Sequence, residues 1–198
     1  MAQIDYYFAT LSPYTYLAGT RLEQMAASRG AEIAYKPLDI MALFQRTGGT
    51  PPKDRHPNRQ AWRLQELRRQ AARLDMAINL KPAHWPTNPA PSSYAIIAAQ
   101  KTGQGDLGAL VHAFLRAVWV EDRDIAEDEV VRDILASNGF DAGLADSGMM
   151  AGADEYSANL EEAVNRGVFG APTYIVGEEV FWGQDRVEDV GLHLDGKL

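Results

Sequence analysis

The sequence predicts an α/β fold in which a large all-helical insert separates two halves that contain strands. Three observations predict it: a strand, a helix and a second strand within residues 1–42, only helical patterns over 43–166, and two strands and a helix over 167–198. Alternating apolar residues are typical of strands, whereas apolar residues repeated every three or four positions are typical of helices. We therefore expect one unit made of 1–42 with 167–198, and a helical unit over 43–166.

The first element is a strand that leads directly into a helix. Apolar residues alternate over 4–8, and a serine–proline pair follows at Ser12. Serine caps the free amides at a helix start, and proline is tolerated in the first turn. We expect this helix to continue to Gly30 and a second strand to follow over 31–38. A hydroxyl at such a junction lies where free amides favour an anion, although most Ser-Pro pairs are only helix caps.

The middle of the chain is predicted to be helical, apart from two loops over 47–57 and 81–91. The second loop contains four prolines, which exclude both a helix interior and a central strand. The expected helices run over 60–74, from a cap at Ser92 to about 102, over 107–119, and as two or three shorter ones between 126 and 166.

The end of the chain returns to strands. Residues 173–176 and 180–182 flank Gly177-Glu178, which predicts a hairpin. Asp185 is then expected to cap the last helix, because an aspartate oxygen accepts hydrogen bonds from first-turn amides.

The composition is that of a globular protein and excludes several functions. The chain has 198 residues and a net charge of −8, which disfavours general nucleic-acid binding. No apolar run approaches the roughly 20 residues that span a bilayer, and no secretory signal is visible, so we expect a cytoplasmic protein. The absence of cysteine excludes disulfides, cysteine nucleophiles and thiolate metal sites. The four histidines lack metal-ligand spacing, and no metal is predicted.

Three motifs occur together in an order that is specific as a combination. They are Ser12-Pro13-Tyr14-Thr15-Tyr16-Leu17, Val168-Phe169-Gly170-Ala171-Pro172-Thr173 and Phe181-Trp182-Gly183-Gln184-Asp185-Arg186. With the helical insert they resemble the 2-hydroxychromene-2-carboxylate isomerases and the related kappa class of glutathione transferases, over essentially the whole chain. The resemblance implies a thioredoxin-like fold in which the peptide bond before Pro172 is cis and faces the first helix. Serine stands where related disulfide oxidoreductases need a cysteine, which excludes that redox activity.

The resemblance also implies glutathione as the cofactor. Ser12 would donate its hydroxyl to the glutathione sulfur and stabilise the thiolate, without itself attacking the substrate. The backbone of Ala171, placed by cis Pro172, would pair with the cysteinyl part of the tripeptide. The γ-glutamyl end would be received by the segment of Trp182, Gly183, Gln184 and Asp185.

The substrate is expected to bind between the thioredoxin-like unit and the insert, on the two predicted loops. Lys53, Asp54 and Arg55 would meet the substrate carboxylate or the glycine end of glutathione. Trp85 would stack on the aromatic ring, with Asn88 as a polar partner. The alternatives remain open: a solvated loop for the charged residues, and packing in the core of the insert for Trp85, which we favour slightly.

The family often has Gly-Asn where this chain has Gly48-Gly49, so one polar contact near the tripeptide is missing.

The implied reaction is reversible conversion of 2-hydroxychromene-2-carboxylate to trans-o-hydroxybenzylidenepyruvate, in the breakdown of naphthalene-type aromatics. A kappa-like transferase or peroxidase would use the same thiol site. A non-catalytic thioredoxin-like binding module is the third hypothesis. A homodimer is expected from the family.

Overall fold

A four-stranded sheet organises the protein, whose computed structural model describes residues 2–198. The strand order is β2-β1-β3-β4; β1 and β2 are parallel, and β3 runs antiparallel to both of its neighbours. The predicted hairpin is therefore present. The strands are β1 (Gln3–Phe8), β2 (Glu32–Pro37), β3 (Thr173–Val176) and β4 (Glu179–Trp182).

Helices account for the rest of the regular structure. They are α1 (Pro13–Ala18), α2 (Arg21–Arg29), α3 (Ile40–Thr47), α4 (Pro57–Arg73), α5 (Ala90–Thr102), α6 (Leu107–Trp119), α7 (Asp128–Ser137), α8 (Leu144–Ser147), α9 (Met149–Asn165) and α10 (Val187–Leu194), with a short 3-10 turn over Pro52–Asp54. The elements between β2 and β3 are all helical, as predicted. No helix within residues 2–198 has the length and apolar character needed to cross a membrane.

The prediction of one helix from Ser12 to Gly30 is wrong, because the helix breaks after Ala18. Gly19 has φ +60° and ψ −142°, which is not helical, and a new helix begins at Arg21. The Arg21 guanidinium donates to the carbonyls of Leu17 (2.8 Å) and Ala18 (3.1 Å), which the break leaves without helical partners. The result is a short α1 directly after Ser12.

Two predicted helix caps are also wrong. Helix α5 begins at Ala90, whose N–H donates to the side chain of Asn88 at 3.1 Å, so Ser92 lies inside the helix. The Ser92 hydroxyl is buried against the Pro89 carbonyl, at 3.0 Å. Helix α10 begins at Val187, and the Asp185 carboxylate pairs with Arg186 at 2.8 Å instead of capping the helix.

The sheet and the insert share one apolar core. Tyr6 and Phe8 of β1 belong to the same buried cluster as Leu67 of α4 and Phe114 of α6. Aromatic contacts extend this core across the sheet, since Tyr6 stacks on Tyr174 at 5.2 Å between ring centroids. The boundaries predicted at 42/43 and 166/167 therefore separate types of element, and their status as domain boundaries stays a prediction.

Leu67→Ala should destabilise the whole protein in one step, because Leu67 is fully buried in the shared core. We expect a loss of roughly 2–5 kcal/mol in the free energy of unfolding, from lost burial and the cavity left behind. Urea unfolding followed by circular dichroism and by tryptophan fluorescence would measure it. Arg68→Ala, on the exposed face of α4, should cost at most about 0.5 kcal/mol. A separate early transition for the insert would contradict a shared core.

Candidate active site

Ser12 lies at the point where the chain leaves β1 and enters α1. Its backbone N–H donates to the Ala9 carbonyl at 3.0 Å, and its Oγ accepts a hydrogen bond from the Thr15 N–H at 3.3 Å. The residue is 8% exposed. Across residues 2–198 no group accepts the proton of the Ser12 hydroxyl. The hydroxyl is therefore fixed in place and still able to donate to a ligand.

The Ala171–Pro172 peptide bond is cis, as predicted, and it lies at the same edge of the sheet as the loop containing Ser12. The last pair in the β1–β3 register is Tyr7 opposite Thr173, so Pro172 precedes β3 where β1 is about to end. Ala171 packs against the buried cluster that includes Leu11, the neighbour of Ser12. The two segments that the motifs predicted to meet are thus adjacent.

The backbone of Ala171 is available to a ligand. Neither its N–H nor its C=O forms a hydrogen bond within the described part of the chain. The carbonyl of Pro172, by contrast, accepts from the Gly183 N–H at 3.0 Å, which ties the two loops together. An unpaired backbone segment of this kind can pair with an extended peptide.

The loop that follows β4 packs directly on the loop that precedes Pro172. A Cβ atom on Gly170 would lie 2.4 Å from Nε1 of Trp182, so this position needs glycine while the indole lies there. Phe169 contacts the same indole edge-on, with 4.7 Å between ring centroids. Gly183 has φ +125°, a conformation that favours glycine. Trp182 and Gly183 therefore flank the Ala171 backbone.

Gln184 and Asp185 differ in what they can offer a ligand. Gln184 is buried, and both its side-chain Oε1 (2.6 Å) and its carbonyl (2.8 Å) accept from Arg21. The Gln184 side-chain Nε2 donates to Gln70 Oε1 at 3.4 Å, so a contact of Gln184 with a ligand would use its backbone N–H, which has no acceptor within residues 2–198. Asp185 is exposed but paired with Arg186, as described above.

The predicted substrate-binding residues are only partly brought to this site. Lys53 and Asp54 are exposed on the 3-10 turn, and none of their contacts reaches the region of Ser12. Asn88 is exposed and engaged at the start of α5. Arg55 is half-buried and donates to the Thr50 carbonyl at 2.8 Å. Burial lowers the pKa of Arg55, and the charge of nearby Arg59 lowers it further.

Trp85 is the residue of the second loop that reaches the site. Its Nε1 donates to the Leu11 carbonyl at 3.0 Å, immediately before Ser12, and its ring lies 5.8 Å from that of Trp119. It is half-buried, so it packs on the core and borders the site as well. The peptide bond between Trp85 and Pro86 is cis, which the sequence analysis did not predict.

Two residues near the site, Arg63 and Tyr14, were not predicted from the sequence to be functional. Arg63 of α4 lies over the Trp85 ring, with its Cζ 5.1 Å from the ring centroid, and Tyr14 of α1 is close enough to feel its charge. Burial raises the pKa of Tyr14, and the charge of Arg63 opposes this. The available signal was the spacing of Arg63 four residues before Leu67, which puts both on the buried face of α4.

The substitution at Gly49 has a steric explanation. A Cβ atom at this position would lie 2.2 Å from Cδ1 of Phe44. This position therefore needs glycine while the Phe44 ring lies there.

Comparisons with known proteins agree with this geometry. Residues 3–195 match the family model of a DSBA-like thioredoxin domain. A 2-hydroxychromene-2-carboxylate isomerase from Sphingobium xenophagum is 31% identical over 195 residues, which cover 96% of this chain and 97% of that protein. Glutathione S-transferase kappa 1 from Caenorhabditis elegans is 26% identical over 203 residues, covering 94% of this chain and 88% of that one.

A solved 2-hydroxychromene-2-carboxylate isomerase structure has the same fold, with a TM-score of 0.79 and 24% identity across 98% of this chain and 95% of that one. The fold is thus the thioredoxin-like α/β fold that the motifs predicted. The chain belongs to the 2-hydroxychromene-2-carboxylate isomerase family, among the DSBA-like thioredoxin domains, and is an enzyme of the isomerase type.

Proposed function

We propose that the chain is a glutathione-dependent isomerase that interconverts 2-hydroxychromene-2-carboxylate and trans-o-hydroxybenzylidenepyruvate. The observation that supports it best is the pairing of a hydroxyl able to donate, on Ser12, with an unpaired backbone at Ala171 on the same sheet edge. The chain has no cysteine, so a reactive sulfur would have to come from a bound thiol. The named isomerase relatives supply the substrate.

The residues at this edge fit a γ-glutamyl tripeptide. The Ala171 N–H and C=O would pair with the cysteinyl backbone, as a strand edge does with an extended peptide. The γ-glutamyl end would lie against Trp182 and Gly183, with the Gln184 N–H donating to its carboxylate. Asp185 is exposed and would bind the α-amine after exchanging its pairing with Arg186.

Ser12 would set the protonation state of the cofactor. A free thiol has a pKa of roughly 8.5, and hydrogen-bond donors at a helix start lower it. The Ser12 hydroxyl proton is available for a thiolate because no group within residues 2–198 accepts it, while Oγ itself accepts from the Thr15 N–H. Helix α1 is only 6 residues long, but the dipole effect arises mainly from its first turn.

When bound, glutathione would supply a thiolate that adds reversibly to the conjugated carbon, converting a double bond into a single bond that can rotate before the thiolate leaves. Ser12 would hold the sulfur beside the substrate, and Trp85 would border the space for the aromatic ring. In this proposal the reaction is a step in the breakdown of naphthalene-type aromatics. The enzyme is a homodimer and acts in the cytoplasm. The kappa relative favours one alternative, a glutathione transferase or peroxidase.

Substrate conversion at catalytic amounts of glutathione should separate these functions. We expect complete equilibration of the two isomers with glutathione well below the substrate concentration, because an isomerase regenerates its cofactor. Chromatography of the products would show two isomers of equal mass and unchanged total thiol. Consumption of glutathione in step with product would instead identify a transferase or peroxidase, and absence of any glutathione requirement would remove the cofactor from the proposal.

Ser12→Ala should lower kcat by about 100-fold, the usual cost of losing one donor to a developing anion. The measurement is steady-state turnover at saturating glutathione. Ser12→Thr, which keeps a hydroxyl and a cap, should retain much of the activity. Ser28→Ala, at an exposed position of α2, is the control for the loss of a serine elsewhere. The lost cap also costs about 1 kcal/mol of stability, so turnover is compared below the unfolding temperature. Unchanged turnover in Ser12→Ala would remove Ser12 from the mechanism.

A further inference from the structure

One stretch of the chain has many arginines and few carboxylate partners. Outside residues 55–73, the arginines of the described chain all pair with a carboxylate, except Arg21, which donates to carbonyl groups and Gln184. Within 55–73 only Arg69 has such a partner, Glu66. The chain as a whole has a net charge of −8, so a shortage of acidic residues does not explain this unpaired positive stretch.

Arg63 is the buried member of this stretch. It is 9% exposed and shares the buried face of α4 with Leu67 and Ala71. It makes no hydrogen bond or ion pair with any residue in 2–198. Its guanidinium nitrogens are nevertheless not fully covered, and each keeps some contact with solvent. A mostly buried guanidinium without a protein partner carries a cost in free energy that an apolar side chain would avoid.

Arg63 lies beside the candidate active site. Arg63 lies over the Trp85 ring at 5.1 Å, and the same indole donates to the carbonyl of Leu11, which precedes Ser12. Helix α4, which contains Arg63, also packs against α1, which begins at Pro13. A guanidinium stacked on an aromatic ring is held in a defined plane.

The surroundings of Arg63 favour an anion. Burial lowers the pKa of the Arg63 guanidinium, the Tyr14 phenol opposes this shift, and Arg55 adds to it. The carboxylate whose charge raises the pKa of Tyr14 is that of Glu66, which already accepts hydrogen bonds from Arg69 at 2.8 Å and from Gln70 at 2.6 Å. Two neighbouring cations without a counter-charge repel each other, and a bound anion would relieve that repulsion.

We propose that Arg63, with Arg55 beside it, binds a reactant carboxylate next to Ser12. The location of the reactants rests on the proposed function. Two carboxylates would reach this position: that of the acidic aromatic substrate and that of the glycine end of glutathione. A guanidinium binds a carboxylate through two parallel hydrogen bonds, and no acceptor within residues 2–198 occupies the N–H groups of Arg63.

The test compares Arg63→Met with Arg68→Met, an exposed neighbour on the same helix. Calorimetry measures the affinity of each variant for two carboxylate ligands and for their amides. The pairs are 2-hydroxycinnamate with 2-hydroxycinnamamide, and glutathione with glutathione amidated at glycine. We expect Arg63→Met to weaken the binding of one carboxylate ligand about 10- to 100-fold and to leave the affinity for its amide unchanged, as for loss of a charged hydrogen bond. Arg63→Lys, which keeps the charge without the fork, should recover part of the affinity.

The two ligands identify the source of the carboxylate. A loss confined to 2-hydroxycinnamate assigns Arg63 to the substrate, and a loss confined to glutathione assigns it to the cofactor; either supports the proposal. The melting temperature of Arg63→Met should stay unchanged or rise, since an unpaired buried charge is removed. Unchanged affinity for both carboxylates in folded Arg63→Met, or no carboxylate binding by the unmodified chain, would overturn the proposal.

The outcome separates this inference from the proposed function. Arg63-dependent binding of 2-hydroxycinnamate by a chain that shows no glutathione-dependent isomerisation would refute the function and keep the carboxylate site. Normal isomerisation by a chain whose Arg63→Met variant binds and turns over as before would refute the carboxylate site alone.

Discussion

The hydrogen bond from the Thr15 N–H to Ser12 Oγ is the interaction on which the site depends. It uses one acceptor position of the hydroxyl and leaves the proton free, so the hydroxyl can still donate to a ligand. Its position follows from the local sequence, because β1 runs into a serine–proline pair that starts α1. A hydroxyl at this place is a weak nucleophile but a good stabiliser of a neighbouring anion. In the proposed function, that distinction would let a thioredoxin-like fold without cysteine carry out thiol chemistry with a bound thiol.

The surroundings keep this hydroxyl and the Ala171 backbone together. The Gly183 N–H bonds to the Pro172 carbonyl, and Gly170 allows the Trp182 indole to lie directly against the chain. On the other side, Trp85 links the insert to the loop before Ser12. Loops from three distant parts of the sequence are therefore held by a few specific contacts on a rigid sheet. Such preorganisation lowers the entropy cost of binding an extended ligand.

Sequence reasoning predicted what is encoded locally. The strand before Ser12, the hairpin around Gly177 and helix α6 are each specified by short-range patterns, and the structure confirms them. The break at Gly19 was missed because its cause is partly distant: Arg21, which covers the freed carbonyls, is itself held by Gln184, more than 160 residues away. Asp185 was assigned to a helix cap for a different reason: its partner Arg186 is adjacent, but residue types alone do not decide between this ion pair and a cap.

The inward-facing Arg63 of α4 was the largest omission. The arginines of this helix look in sequence like a solvated helix face. The spacing of Arg63 four residues before Leu67 puts both on one face of α4, and the burial of Leu67 in the shared core shows that this face is turned inward. Arg63 contacts Trp85 across a distance of 22 positions, and no local rule specifies that contact. In contrast, Lys53 and Asp54 lie in a loop that reads as a binding segment by composition but stays in solvent.

The most direct measurement of the central claim is the ionisation of glutathione bound to the unmodified chain, followed by the ultraviolet absorbance of its thiolate as pH is raised. A sulfur beside the Ser12 hydroxyl at the start of α1 should ionise roughly one pH unit or more below free glutathione. Binding with an unshifted thiol pKa would show that the sulfur lies elsewhere, and absence of binding would show that this edge of the sheet does not accept the tripeptide.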